Sequence, residues 1–313
     1  MADIKVRSLS DDLPFGARIR GVTQANAADA DVRAEVNEVF TRRGIILFED
    51  MEPTNATQIA VSGIFGEPQV YALTDVVESS DRVATGVVEF EYGEVFEVDG
   101  EELVSWLPWH FDACYTAKLN RGGILRAITI PPEGGLTGFG DGIQLYRDID
   151  PGLRAQFEDL SIVYHTHLMF TEMRFGLPKR FKPVMLRPLF TEMLAATKAA
   201  PRAVHPAIWT RPTGEKVLHV APWQAAGIDG LLTPQGDELF AVLIEEIYAR
   251  ITPYRHKWSP TDMIIWDNWR FIHSVGGNPP QYERRMQRTT IAGDYGLGRM
   301  EIAGSAAPLG IDL

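Results

Sequence analysis

Three side chains in this sequence could converge on one metal ion. In WHFDACY, residues 109–115, His110 and Asp112 are separated by a single residue. On a strand, residues i and i+2 point to the same side, so an imidazole and a carboxylate would face one point in space. Such a pair arises often by chance and needs a third partner. His273, in WDNWRFIHS after the apolar run MIIWD at 263–267, supplies it. Two histidines and one carboxylate fill one face of an octahedron around ferrous iron and leave three adjacent positions open. A bidentate 2-oxo acid can take two of them and dioxygen the third. If the acid is 2-oxoglutarate, its distal carboxylate also needs a cation, and the planar fork of arginine suits that task. ERRMQRTTIAGD, residues 283–294, carries Arg284, Arg285 and Arg288. Arg284 and Arg288 lie four apart, whereas Arg285 points elsewhere in any regular structure, and Arg288 could face the same cavity as His273.

To bring these groups together, the chain must return on itself through several short elements. Residues 31–42 place Val32, Val36, Val39 and Phe40 on one helical face, with Gly44 as a stop. GIILF, 44–48, predicts a buried strand, and Thr54 caps a second helix that carries Ile59 and Ile64 and ends at Phe65-Gly66. Strands are predicted over 122–130, 161–167, 263–267 and 288–294, and the longest amphipathic helix over 237–251. Many short strands with few helices predict one mainly β domain over 1–313, an antiparallel sandwich or barrel with helices packed outside.

Two stretches stand out by charge. Residues 89–102 hold seven acids and no base, with Asp99-Gly100 as a hairpin turn between EVFEV and ELVSW. Ending just before His110, residues 89–105 read either as a solvated hairpin or as a flap over the site. Residues 170–188 hold Arg174, Lys179, Arg180, Lys182 and Arg187 against Glu172, and read as a solvated loop or as a lid that draws in an anion.

Taken together, the motifs resemble the taurine dioxygenase / 2,4-dichlorophenoxyacetate dioxygenase (TauD/TfdA) family of iron(II)/2-oxoglutarate-dependent dioxygenases. The segments are Trp109-His110-Phe111-Asp112, Gly134-Gly135-Leu136-Thr137, Trp266-Asp267-Asn268, His273 and Arg288, in the family's order and spacing. GIILFED and FGEP extend the likeness through the N-terminal half. The resemblance implies that His110, Asp112 and His273 ligate iron, and that Thr137 and Arg288 hold the C5 carboxylate of 2-oxoglutarate; Arg284, four residues before Arg288, is a further co-substrate candidate by its spacing. It implies a double-stranded β-helix, the cupin-like jelly roll, and a reaction that consumes O2 and releases succinate and CO2 while a small molecule is hydroxylated or thereby cleaved. Asp112 occupies the place where halogenase relatives have a small residue, which leaves no site for chloride. Trp269 stands where the family has an arginine, and Arg270, one later, is given no role. Tyr71 and Trp106 stand where the taurine branch has two polar sulfonate anchors, which argues against taurine and for a bulkier, apolar or aromatic substrate, such as a carboxylate or other anion. Trp223, Phe139 and Met169 could line the same wall or be plain core.

Composition narrows the alternatives. A formal net charge of -12 disfavours a nucleic-acid partner, because binding a phosphate backbone needs a basic face. The N-terminus has no apolar signal segment, no apolar run is long enough to span a bilayer, and the single cysteine, Cys114, allows no internal disulfide. These features predict a cytoplasmic protein with a small-molecule substrate and leave a homo-oligomer open. His165 and His167 lack a carboxylate or cysteine at ligand spacing and read as interior histidines. Two rival functions remain at this level, a metal-dependent hydrolase and a catalytically idle jelly-roll binding protein. Neither has use for both Thr137 and Arg288.

Overall fold

In the computed structural model, which describes residues 4–69, 87–91, 93–166, 170–188 and 200–301, the apolar runs form the middle of a sheet covered on both faces. Met263–Asp267 lies between Ile45–Phe48 and Gly122–Thr129, antiparallel to both. Side chains alternate across a strand. Met263, Ile265, Ile46 and Phe48 therefore face a core shared with Val32, Val36, Val39 and Phe40 of the helix Ala30–Arg43. Ile264, Trp266, Ile45 and Leu47 face the other way, against Phe139 and Phe271. With neither face solvated, these strands read as continuous apolar runs.

From edge to edge, this seven-stranded sheet runs Lys5–Ser8, Ala17–Arg20, Ile45–Phe48, Met263–Asp267, Gly122–Thr129, Arg285–Ile291 and Val87–Glu91. Facing it is a six-stranded sheet, Phe181–Met185, Val95–Val98, Glu101–His110, Phe271–Asn278, Thr137–Asp141 and Tyr254–His256. Two largely antiparallel sheets sharing a core, with helices outside, form the expected jelly roll. A smaller four-stranded sheet includes Ser161–Tyr164, Ala203–Pro206 and Ala225–Ile228, and the helix Pro234–Arg250 packs Phe240, Leu243, Ile244 and Ile247 into its core.

Element ends follow local chemistry. Ala30–Arg43 stops where Gly44 adopts φ 75° and returns its N–H to Phe40. The second helix is Asn55–Ser62, shorter than expected, and the Thr54 hydroxyl accepts the Thr57 N–H at 3.1 Å. The long helix begins at Pro234 rather than Asp237, because Thr233 caps it and proline is pre-organised for a first turn. The strand expected over 161–167 ends at Tyr164, and the one expected from Arg288 begins at Arg285.

The two charged stretches meet each other. Asp99 and Gly100, at φ 51° and 102°, turn the hairpin Val95–Val98/Glu101–His110. Phe181–Met185 adds to the free edge of that hairpin. Lys182 Nζ lies 2.8 Å from Glu97, Arg187 Nε lies 2.7 Å from Glu94, and Arg174 pairs with Asp237. Most described residues of 89–105 lie in strands of the two sheets, and three cations of 170–188, Arg174, Lys182 and Arg187, pair with acids of the chain, while Arg180 donates to the Asp99 carbonyl. No helix among the described residues is long and apolar enough to cross a membrane.

Candidate active site

The strand Glu101–His110 ends at His110, which lies in register with His273 on Phe271–Asn278, and the two imidazole centroids are 4.0 Å apart. Asp112 is not on the strand. It arrives through a turn in which Ala113 adopts φ 57°, so Asp112 joins the two histidines by a turn and not by strand alternation. What holds Asp112 is Asn268. Its side-chain oxygen accepts the Asp112 N–H at 2.8 Å, and its amide donates to the Asp112 carbonyl at 3.0 Å and to Asn120 Oδ1 at 3.0 Å. Asn268 was read only as part of the W-D-N signature, but the asparagine is the clamp that sets the third member of the cluster. Removing it leaves buried backbone groups unpaired. Asn268→Ala should therefore destabilise the fold by about 2 kcal/mol in chemical denaturation. Metal affinity, measured by competition with a chelator, should fall at least about tenfold, as for other groups that orient ligands.

Histidine and carboxylate donors of His110, Asp112 and His273 lie within 4.8 Å of one another and all three residues are buried. The Pro108 carbonyl accepts from His110 Nδ1 at 2.8 Å, which leaves the Nε2 lone pair for a ligand bond. Burial, with the Arg288 cation adding to it, holds His110 below the usual imidazole range, and burial together with the neighbouring His110 holds His273 well below it. Burial pushes the Asp112 carboxyl up, but Arg288 and the histidines outweigh it and bring the group down to about 2. Two neutral imidazoles and one carboxylate are the protonation state a divalent metal requires, so the residues present fit ferrous iron.

Arg288, on the strand Arg285–Ile291, and Arg284, just before it, lie at different places. Arg288 forks onto Asp112, with Nη1 and Nη2 at 2.9 and 2.6 Å from its two oxygens. Its guanidinium lies over Gly123 on the neighbouring strand, where an added Cβ would stand 2.6 Å from Nε. Arg284 sits beside Thr137 instead, with Nη2 3.3 Å from Oγ1 and Nε 3.2 Å from the Gly135 carbonyl. The arginine beside Thr137 is Arg284, whereas Arg288, expected there by the resemblance, lies on Asp112. Four extended residues span about 13 Å, so one arginine cannot reach both ends of the cavity. Gly134 and Gly135, at φ 71° and 66°, carry the chain into Thr137 in a conformation that suits glycine. Trp258, given no role from the sequence, donates its indole N–H to Thr137 Oγ1 at 3.1 Å.

An aromatic wall begins at the metal cluster. Trp223 meets His110 edge-on at 4.9 Å, Phe170 meets Trp223 at 5.0 Å, and Trp106 meets Phe170 at 5.6 Å and Phe181 at 5.2 Å. Phe139 is core between the sheets, stacked behind His273 at 6.3 Å. Tyr71, Met169 and His167 lie outside the described residues. Arg270 forks onto Asp141 at 2.7 and 2.8 Å, in agreement with its being given no role at the site.

A family model described as "Taurine catabolism dioxygenase TauD, TfdA family" matches residues 5–290. The (S)-phenoxypropionate/alpha-ketoglutarate-dioxygenase of Sphingobium herbicidovorans is 27% identical over 302 residues, covering 90% of this chain and 93% of the relative. The alpha-ketoglutarate-dependent sulfate ester dioxygenase of Pseudomonas putida is 24% identical over 289 residues, covering 91% and 88%. Among solved structures, a taurine dioxygenase from Burkholderia xenovorans superposes with a TM-score of 0.70 at 23% identity, covering 98% of this chain and 99% of that one, a likeness of fold.

Proposed function

The chain belongs to the TauD/TfdA family of 2-oxoglutarate-dependent dioxygenases, and from that premise we propose that it oxidises a substrate with an aromatic or apolar body and an anionic end, such as an aryloxy carboxylate or an organic sulfate. As a member it is an oxidoreductase that uses iron(II), 2-oxoglutarate and dioxygen. The hydrolase and idle-scaffold alternatives are not favoured by that membership. Iron(II) bound at the cluster supplies the redox chemistry by which dioxygen oxidises the substrate while 2-oxoglutarate becomes succinate and CO2.

In this reading His110, Asp112 and His273 hold the iron. Asn268 and Pro108 hold Asp112 and His110 in position, and Arg288 keeps the carboxylate ionised and oriented. Arg284 and Thr137 take the C5 carboxylate, apart from Arg288, which lies on Asp112. The observation that carries the substrate class is the wall His110–Trp223–Phe170–Trp106. Such a surface excludes water from the reacting centre and favours a flat or apolar body over a small polar one. The anionic end is supported by the relatives' phenoxypropionate and sulfate ester substrates. It is also supported by Trp223 Nε1, a buried donor with no hydrogen-bond partner among the described residues, which an anionic acceptor would satisfy. Ferrous iron and the lone buried thiol of Cys114 suit a reducing, cytoplasmic setting.

A panel scored by succinate release tests the reading. Aryloxyalkanoates and medium-chain alkyl sulfates should couple succinate release to their own oxidation, with taurine and small neutral compounds inactive. Turnover confined to the small polar compounds would overturn it. Trp223→Phe keeps the ring and removes the N–H, so KM for the preferred substrate should rise about tenfold, the worth of one hydrogen bond to a charged group, with KM for 2-oxoglutarate unchanged.

A further inference from the structure

The geometry points to Trp258 as a positioning residue that presets the Thr137 hydroxyl as a donor and so selects a 2-oxo acid bearing a distal carboxylate. This rests on the co-substrate reading above and deepens it.

Thr137 opens the strand Thr137–Asp141 and is almost fully buried, at 1% exposure. A hydroxyl has one hydrogen to donate and two lone pairs to accept with. Both lone pairs of Oγ1 are engaged, one by the Trp258 indole N–H at 3.1 Å and the other by Arg284 Nη2 at 3.3 Å. Neither an indole nor a guanidinium can accept a hydrogen bond, so neither can take the Thr137 hydrogen. The hydroxyl is left with a single outward role, that of donor. A donor hydroxyl beside a guanidinium matches a partner that only accepts and carries negative charge, which is a carboxylate. A neutral or donor-bearing terminus at this end of the co-substrate would leave the pair unmatched.

Trp258 is itself held in place. It follows the strand Tyr254–His256, whose His256 lies opposite Thr137 in register. The His256 ring meets the indole edge-on at 4.5 Å. His256 Nδ1 is 3.0 Å from the Tyr254 hydroxyl, and its Nε2 is 3.3 Å from Asp262. The strand that covers the edge of the six-stranded sheet therefore aims the indole N–H at the co-substrate end of the cavity.

The test compares binding of 2-oxoglutarate with that of 2-oxovalerate, which has the same reacting head and no distal carboxylate. Binding is measured by anaerobic calorimetry on iron(II)-loaded protein, so that it does not depend on turnover. Trp258→Phe should weaken 2-oxoglutarate about fivefold, leave 2-oxovalerate unchanged and alter kcat less than twofold. Thr137→Val, close in shape but without the hydroxyl, should lose the same discrimination or more, and adding Trp258→Phe to it should change nothing further. Thr137→Ser, which keeps the hydroxyl, should retain the discrimination, and its loss there would overturn the inference even if Trp258→Phe folds poorly. Equal weakening of both acids by Trp258→Phe, or an effect that adds fully to Thr137→Val, would overturn the inference. A wild-type protein that binds both acids equally would instead overturn the co-substrate reading beneath it.

Discussion

Replacing Arg284 with alanine should raise the 2-oxoglutarate KM about a hundredfold while the KM of the organic substrate stays within about twofold, because the guanidinium makes charge-assisted contacts that the reacting head of the co-substrate does not share. The guanidinium is buried and positioned by the Gly135 carbonyl and the Thr137 hydroxyl, so little freedom remains to be lost when a carboxylate arrives. About a hundredfold corresponds to about 2.7 kcal/mol. Lysine at this position should recover only part of it, since a point charge cannot reproduce the fork. Arg288→Ala should behave differently. Its contacts are to the Asp112 carboxylate, the proposed iron ligand, so it should lower iron affinity and kcat together rather than act on the co-substrate alone. Steady-state kinetics with 2-oxoglutarate varied at saturating iron and substrate separates the two, and an unchanged KM in Arg284→Ala would contradict the assignment.

The largest effect is expected at Asp112. Asp112→Ala should abolish iron-dependent turnover, a loss of at least about a thousandfold, because one of the three proposed ligands and the only anionic one is gone. It should also destabilise the metal-free protein by about 3 kcal/mol, since Arg288 loses a bidentate partner while still buried. Replacing both residues, as in Asp112→Ala/Arg288→Met, should recover much of that stability and none of the activity. The pair also sets a pH dependence. The Asp112 pKa falls from 3.8 to about 2 on folding, so its contribution is fully present above about pH 4 and is lost as pH falls towards 2. Acid denaturation of the metal-free wild type should steepen over that window, and Asp112→Ala should flatten it. Equal stability of the wild type and Asp112→Ala in urea at neutral pH would show that the ion pair does not form.

How much of this was legible in the sequence differs from residue to residue. The grouping of His110, Asp112 and His273 was readable because they sit in short motifs of fixed spacing, and the strand at 263–267 was readable from its unbroken apolar run. The helix Ala30–Arg43 was readable from its periodicity and its glycine stop. Arg284 and Arg288 were not separable, because they lie four residues apart and only their neighbours distinguish them, Gly123 and Asp112 for Arg288 and Thr137 and the Gly135 carbonyl for Arg284. Trp258 and Asn268 act across sheet pairings far apart in the chain, and a single sequence does not report such contacts. The charge of 89–102 and 170–188 was plain, but what each faces depends on the strand Phe181–Met185 adding to the acidic hairpin. A basic stretch and an acidic stretch of similar length in one chain are their own most economical partners, and that complementarity was a signal available from composition.

The central claim, that iron and 2-oxoglutarate meet in the cavity between His110, Asp112, His273 and Arg284, is tested most directly by anaerobic titration of the iron(II)-loaded protein with 2-oxoglutarate while the weak visible charge-transfer absorption of an iron(II)–2-oxo acid chelate is followed. The wild type should develop the band and saturate, His110→Ala should show none, and Arg284→Ala should need about a hundredfold more 2-oxoglutarate for the same band. A wild-type protein that holds iron at the cluster and develops no band at any concentration of 2-oxoglutarate would contradict the account.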